Sequence, residues 1–249
     1  MSNNPGRTNP LLKAERADRN RKILIQVGVA AVLIGLVAAI GIGIAIKKAE
    51  KDDPGPSPTI AAAQAPGSVT GSITDNGSIR IGKPDAKVTV RVVADLQCPA
   101  CKAFEATYGK VLEDAVNSGT AAVEYNIISF LDKASTTQYS TRAANASYCV
   151  AEQDPTKYQA WLSAMFAQQP PEGGNGLPDE KLVEIAKSVG YTDAVASCIT
   201  DHTYEKFVAS TTNKAFDSGI KSTPTVFVNG QQVNPSTLEQ AIAAAAAGQ

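Results

Sequence analysis

Two cysteines three positions apart, in Cys98-Pro99-Ala100-Cys101, stand where the hydrophobic period of the chain changes. Upstream, residues 87–94 are β-branched and alternating, which predicts a strand. Downstream, Phe104, Tyr108, Val111, Leu112 and Ala115 recur at helical spacing. Cys98 therefore falls at or near a helix N-cap, where unpaired N–H groups and the positive end of the helix dipole favour an anion. A thiolate is such an anion, and it is the reactive form of cysteine. Cys98 is expected as the exposed nucleophile, its pKa lowered into the ~3.5–7.5 range of activated thiols. Cys101, a helical turn on, is expected as the more buried partner that closes a reversible disulfide. Zinc sites and structural disulfides use the same spacing. Zinc needs two further ligands, and neither Cys149, Cys198 nor the single histidine, His202, completes a second such pair. Dithiol redox chemistry, with no metal and no cofactor, is the expectation.

Holding such a pair takes a strand before it, a helix after it and a sheet beneath both. Ile79 and Ile81 open a short strand, residues 87–94 form the next, and residues 121–131 follow the cysteine helix as a third. A helical block comes after. Tyr139, Ala143, Ala146 and Val150 make one stripe. Asp154 caps a helix begun by Pro155, with Trp161, Leu162, Met165 and Phe166 as core. Beyond a proline-bounded loop, Leu182, Ile185, Ala186 and Val189 mark a helix ended by Gly190. Ala194, Val195, Cys198 and Ile199 mark another, and Tyr204, Phe207, Val208 and Thr211 the last of the block. Strands return at 225–228 and 231–233 around Asn229-Gly230, a strong hairpin signal, and Ser236 with Glu239 starts a final helix.

Cys149 and Cys198 fall on inward faces of separate helices. Paired, they would close a long loop and stabilise the fold by ~4 kcal/mol in the chain-entropy model. Two buried free thiols and a second redox pair are the alternatives; a structural disulfide is favoured because the compartment reads as oxidising. His202 reads as a capping or solvated residue, and Asn76-Gly77-Ser78 and Asn145-Ala146-Ser147 match glycosylation sequons.

The compartment follows from the N-terminal third of this 249-residue chain. Residues 23–46 carry no charge; as a helix they span ~36 Å against a hydrocarbon core of ~30 Å, which predicts a membrane anchor. A cleaved signal peptide is the rival, but the segment is longer than an ordinary signal core. Arg7, Lys13, Arg16, Arg19, Arg21 and Lys22 precede it and only Lys47, Lys48 and Lys51 follow closely. That asymmetry places the N-terminus in the cytoplasm and the rest outside. All four cysteines then lie where disulfides persist. From Pro54 onward there are 14 Lys and Arg against 19 Asp and Glu, so nucleic acid is not an expected partner. The expected layout is a basic cytoplasmic tail at 1–22, the anchor at 23–46 and a Pro/Ala-rich linker without a core at 47–77. An α/β domain at 78–133 and 218–249 then surrounds a helical insertion at 134–217.

The run from Asp95 through Cys98-Pro99-Ala100-Cys101 to Phe104, with Thr223-Pro224-Thr225 before a late strand, resembles the DsbA-type thiol:disulfide oxidoreductases. The resemblance covers roughly residues 78–249 and implies a thioredoxin fold with an inserted helical domain. It also implies that Pro224 is cis and beside Cys98, and that Thr223 offers its backbone to a substrate peptide; by itself a proline there reads as an ordinary trans turn residue. Implied partners are exported proteins with free thiols and a quinone-linked membrane reoxidase. Family members often carry a buried acid six residues before the first cysteine, where this chain has Val92; Asp95 lies closer. Disulfide formation in exported proteins is the expected activity. A reductase or isomerase of the same fold and a non-enzymatic tethered binding module are the rivals. Isomerases usually dimerise through an added domain, and none is visible, so a monomer is expected.

Overall fold

The computed structural model describes residues 53–61 and 69–248, together with positions 19, 28, 33 and 35–43. The chain divides into two compact units, Met1–Asp53 and Pro54–Gln249. In the first, positions 35–43 are helical and Leu33, Leu36, Val37, Ile40 and Ile42 are exposed. Among the described residues no helix is long and apolar enough to cross a membrane. The expected tail at 1–22 and most of the expected anchor at 23–46 lie outside the described residues.

In the second unit, Val88, Val90, Val92 and Val93 are buried, as suits a strand covered on both faces. This strand, β3 (Val88–Ala94), is central. Around it lie β1 (Thr70–Ile73), β2 (Ile79–Gly82), β4 (Ala121–Ile127), β5 (Thr225–Val228) and β6 (Gln231–Val233), in the order β1-β2-β4-β3-β5-β6. β3 and β4 are parallel, with Val90 opposite Val123; the other pairs are antiparallel. A parallel pair needs a crossover, and α1 (Pro99–Ser118) supplies it. Gly119 ends that helix at φ 76°, a left-handed value that suits glycine, and turns the chain into β4.

Between β4 and β5 come α2 (Tyr139–Gln153), α3 (Tyr158–Ala167), α4 (Asp179–Ser188), α5 (Ala194–Thr200) and α6 (Glu205–Asp217); α7 (Leu238–Ala247) packs on β3 and β5. Tyr139, Tyr148, Tyr158 and Trp161 of this block are fully buried and share one continuous core with the sheet. The insertion and the sheet therefore bury their apolar faces on each other.

Three local readings are corrected. Residues 47–77 are not uniformly a tether without a core: Thr70–Ile73 is an edge strand, Pro58 is buried, and Ile60 packs on the main core. Gly71 is required there, since a Cβ would sit 2.3 Å from Pro155. The third expected strand ends at Ile127, not 131, because the backbone beyond it leaves the sheet for side chains: Ser129 N–H donates to Thr212 and Leu131 N–H to Asp95. His202 is neither a cap nor free; its Nε2 lies 2.8 Å from Asp179, which also pairs with Arg142. Asn145 is fully buried, donates to the Cys198 and Ile199 carbonyls and accepts from Tyr204 N–H, so the folded chain does not offer it for glycosylation.

Cys149 on α2 and Cys198 on α5 form a disulfide across a sequence separation of 49. Replacing both with serine is expected to lower the unfolding free energy by about 4 kcal/mol. Denaturant melts without reductant check this; a change under about 1 kcal/mol contradicts it.

Candidate active site

Cys98 is the N-cap of α1, with extended backbone (φ −77°, ψ 119°), and Pro99 takes the first helical position. Its N–H donates to the Asp95 carbonyl at 3.0 Å, and its own carbonyl accepts from Lys102 N–H at 3.1 Å. Cys101 sits one turn into the helix. Both thiols are free. The Cys98 residue is 8 % exposed and Cys101 1 %, which corrects the expectation of an exposed nucleophile. The Thr223 carbonyl meets the Cys98 sulfur, and Gln169 meets the Cys98 main-chain carbonyl.

The two sulfurs differ sharply in acidity. The Cys101 thiol, donating to the Cys98 sulfur, does most to hold Cys98 down to about 5; burial opposes it, and the Thr223 side chain and the N–H groups of Cys101 and Ala100 assist. The helix N–H groups expected to dominate are thus the smaller share. Burial, reinforced by the neighbouring Cys98 sulfur, pushes the Cys101 thiol far above its ordinary value.

The Thr223-Pro224 peptide bond is cis. The Thr223 carbonyl lies 3.4 Å from Cys98 Sγ and accepts from the thiol when that is protonated. β5 begins at Thr225 and pairs with β3, so Thr225 stands opposite Val93. That register brings the proline loop to the end of the sheet where the cysteines lie.

Asp95 directly follows β3 and is fully buried. Its carboxylate accepts from Gln97 N–H at 2.7 Å, Leu131 N–H at 2.8 Å and Ser140 Oγ at 2.8 Å. Burial raises its pKa to about 6 against these hydrogen bonds, and the Cys98 thiolate adds to the rise. Ser140 belongs to α2, so one carboxylate joins the redox turn, the exit of β4 and the insertion. Gln169, just past α3, donates to the Leu96 carbonyl at 2.9 Å and the Cys98 carbonyl at 3.0 Å. The sequence noted Asp95 only by position and gave no sign of Ser140 or Gln169.

A dithiol with one acidic and one buried sulfur at a helix start, faced by a cis-proline loop, can exchange disulfides with another thiol pair. Comparison with known proteins agrees. The family model described as Thioredoxin matches residues 74–245. Reduced DsbA from Mycobacterium tuberculosis is 31% identical, with a TM-score of 0.57 over 69% of this chain and 98% of that one. Disulfide bond formation protein D of Bacillus subtilis (strain 168) is 28% identical over 170 residues, 66% of this chain and 73% of the relative. Serine/threonine-protein kinase PknE of Mycobacterium tuberculosis is 36% identical over 129 residues, half of this chain but only 23% of the kinase. The chain belongs to the thioredoxin family, among the DsbA-type thiol-disulfide oxidoreductases.

Proposed function

We propose that this chain is a membrane-anchored, extracytoplasmic oxidoreductase that introduces disulfides into exported proteins through Cys98 and Cys101. The observation that carries this reading is the geometry of the pair: Cys98 caps α1 with its Sγ 3.4 Å from the Thr223 carbonyl of the cis-proline loop, and Cys101 lies buried one turn into the helix, which lowers the pKa of the Cys98 thiol and raises that of Cys101. In the oxidised protein a substrate thiolate attacks Cys98 Sγ, breaking the Cys98–Cys101 bond and forming a mixed disulfide. A second substrate thiolate then attacks the substrate sulfur of that bond and expels Cys98 as thiolate. The substrate leaves oxidised, and the dithiol is left reduced. A stabilised Cys98 thiolate makes it a good leaving group and favours the reduced form, which makes the pair an oxidant. Thr223 and Pro224 frame the site for an extended substrate strand, pairing through backbone groups.

The apolar segment at 23–46 and its basic N-terminal flank support the anchor and its orientation. The Cys149–Cys198 disulfide is consistent with an oxidising compartment. A quinone-linked membrane protein would accept two electrons from the reduced dithiol and so restore the Cys98–Cys101 disulfide. The test is refolding of reduced ribonuclease with the oxidised chain, read as recovered nuclease activity. Recovery well above a glutathione buffer is expected; none above it contradicts the reading. Equilibration with glutathione fixes direction, since a potential well below that of glutathione marks a reductase instead.

A further inference from the structure

Gln169 lies in the loop after α3, outside every motif of the sequence, and reaches the redox turn from the helical insertion. Its Nε2 donates to two carbonyls of that turn, Leu96 at 2.9 Å and Cys98 at 3.0 Å. Its backbone is held on both sides: its N–H donates to the Phe166 carbonyl at 3.2 Å, and Pro170 follows it, restricting the conformations open to residue 169. The side chain is thus presented from a fixed support.

The two carbonyls matter because one belongs to Cys98 itself and the other lies two residues before it in the same turn. A carbonyl oxygen carries partial negative charge, which disfavours a second negative charge nearby. The Cys98 carbonyl already accepts from Lys102 N–H at 3.1 Å; Gln169 supplies a second donor to the same oxygen and one to Leu96. In a site nearly closed to water such dipoles act at low dielectric and are felt more strongly than in solvent.

We propose that Gln169 is a positioning residue for the dithiol: by donating to the Leu96 and Cys98 carbonyls it fixes the turn at 96–98 that carries the Cys98 side chain and offsets the negative ends of those two dipoles. This rests on the dithiol-exchange reading above. The insertion then grips the redox turn at two points, Gln169 on its carbonyls and Ser140 on the Asp95 carboxylate. The titratable groups acting on Cys98 are Cys101 on its own helix and Asp95 just after β3. Neither is altered by changing Gln169.

Two variants test it. Gln169→Met keeps the length and removes the donors; Gln169→Glu keeps the shape and replaces donors with acceptors. Each is read by ultraviolet titration of the Cys98 thiolate and by the equilibrium constant with glutathione, beside a thermal melt. Gln169→Met is expected to weaken Cys98 acidity about tenfold and to shift the glutathione equilibrium about tenfold towards the disulfide, one pKa unit's worth. Gln169→Glu is expected to do more at pH values where its carboxylate is ionised, and it carries the test if the methionine variant does not fold. Acidity and equilibrium within twofold of wild type, whatever the melting temperature, overturn the proposal. If instead the wild-type Cys98 titrates as an ordinary thiol, the dithiol reading itself has failed, which the wild-type curve alone reveals.

Discussion

Cys98→Ser is expected to abolish disulfide transfer, leaving reduced ribonuclease to refold at the rate of the glutathione buffer. Serine cannot form the disulfide that is exchanged. The remaining sulfur, Cys101, is 1 % exposed and its thiol is held protonated, so it cannot replace the lost nucleophile. Cys101→Ser should behave differently. It leaves Cys98 free to attack a disulfide but removes the neighbouring thiol that would displace the product. A mixed disulfide with oxidised glutathione or with a substrate is then expected to accumulate towards one equivalent, seen by mass spectrometry without reductant. Equal and undiminished refolding activity in wild type and Cys98→Ser would favour a tethered binding module instead.

The second large effect is a pH-dependent gap in stability between the two redox forms. In the reduced chain Cys98 titrates at about 5, against ~8.5 for an unfolded cysteine. A depressed pKa contributes stability that is fully present above the unfolded value and is lost as pH falls through the folded one. The oxidised form has no thiol there and gains nothing. The melting temperature of the reduced form, relative to the oxidised one, is therefore expected to be level below about pH 5, to rise between about pH 5 and 8.5, and to fall again above that, where Cys101, raised in the fold, ionises first in the unfolded chain. A few kcal/mol are at stake, at about 2–4 °C per kcal/mol for a domain of this size.

Asp95 acts in the opposite sense. Its folded pKa is raised to about 6, so its contribution is present below ~3.9 and is lost as pH rises through about 6. It is present in both redox forms, and only its repulsion with the Cys98 thiolate survives in their difference. Asp95→Asn removes that repulsion and should move the rise to lower pH. It also places an amide donor where the carboxylate accepts from Gln97, Leu131 and Ser140, costing ~1–3 kcal/mol in both forms. Melts of both forms, with and without the substitution, separate the two effects. Parallel curves for reduced and oxidised wild type would contradict the low pKa of Cys98.

Local patterns made most of the frame readable. The β-branched run before Cys98 and the helical stripe after it fix the strand-to-helix junction, and β3 and α1 fall there. Asn229-Gly230 marks its hairpin because both residues take positive φ, 47° and 81°. Asn229 then ties the turn to β3 by exchanging hydrogen bonds with Thr89, a contact no local pattern shows. β1 was hidden because Thr70–Ile73 is a short edge strand held by pairing with β2 and by close approach to Pro155.

In the site, the cysteine pair was legible and its surroundings were not. Asp95 reads as a turn residue after a strand; only Leu131 and Ser140, which come from 36 and 45 residues away, make it a buried acid. Gln169 sits in a Gln-Gln-Pro-Pro run that reads as loop, and its role depends on α3 lying against α1. The burial of Cys98 arises in the same way, from the Thr223 carbonyl and Gln169, which come to it from distant parts of the chain. Such contacts are set by how elements pack, and no spacing in the chain encodes them.

The most direct measurement is the ultraviolet absorbance of the Cys98 thiolate in the reduced protein as pH is raised, with Cys98→Ser as the blank. Half-titration near pH 5 is the predicted result. A half-point near ~8.5, the value of a free cysteine, contradicts it.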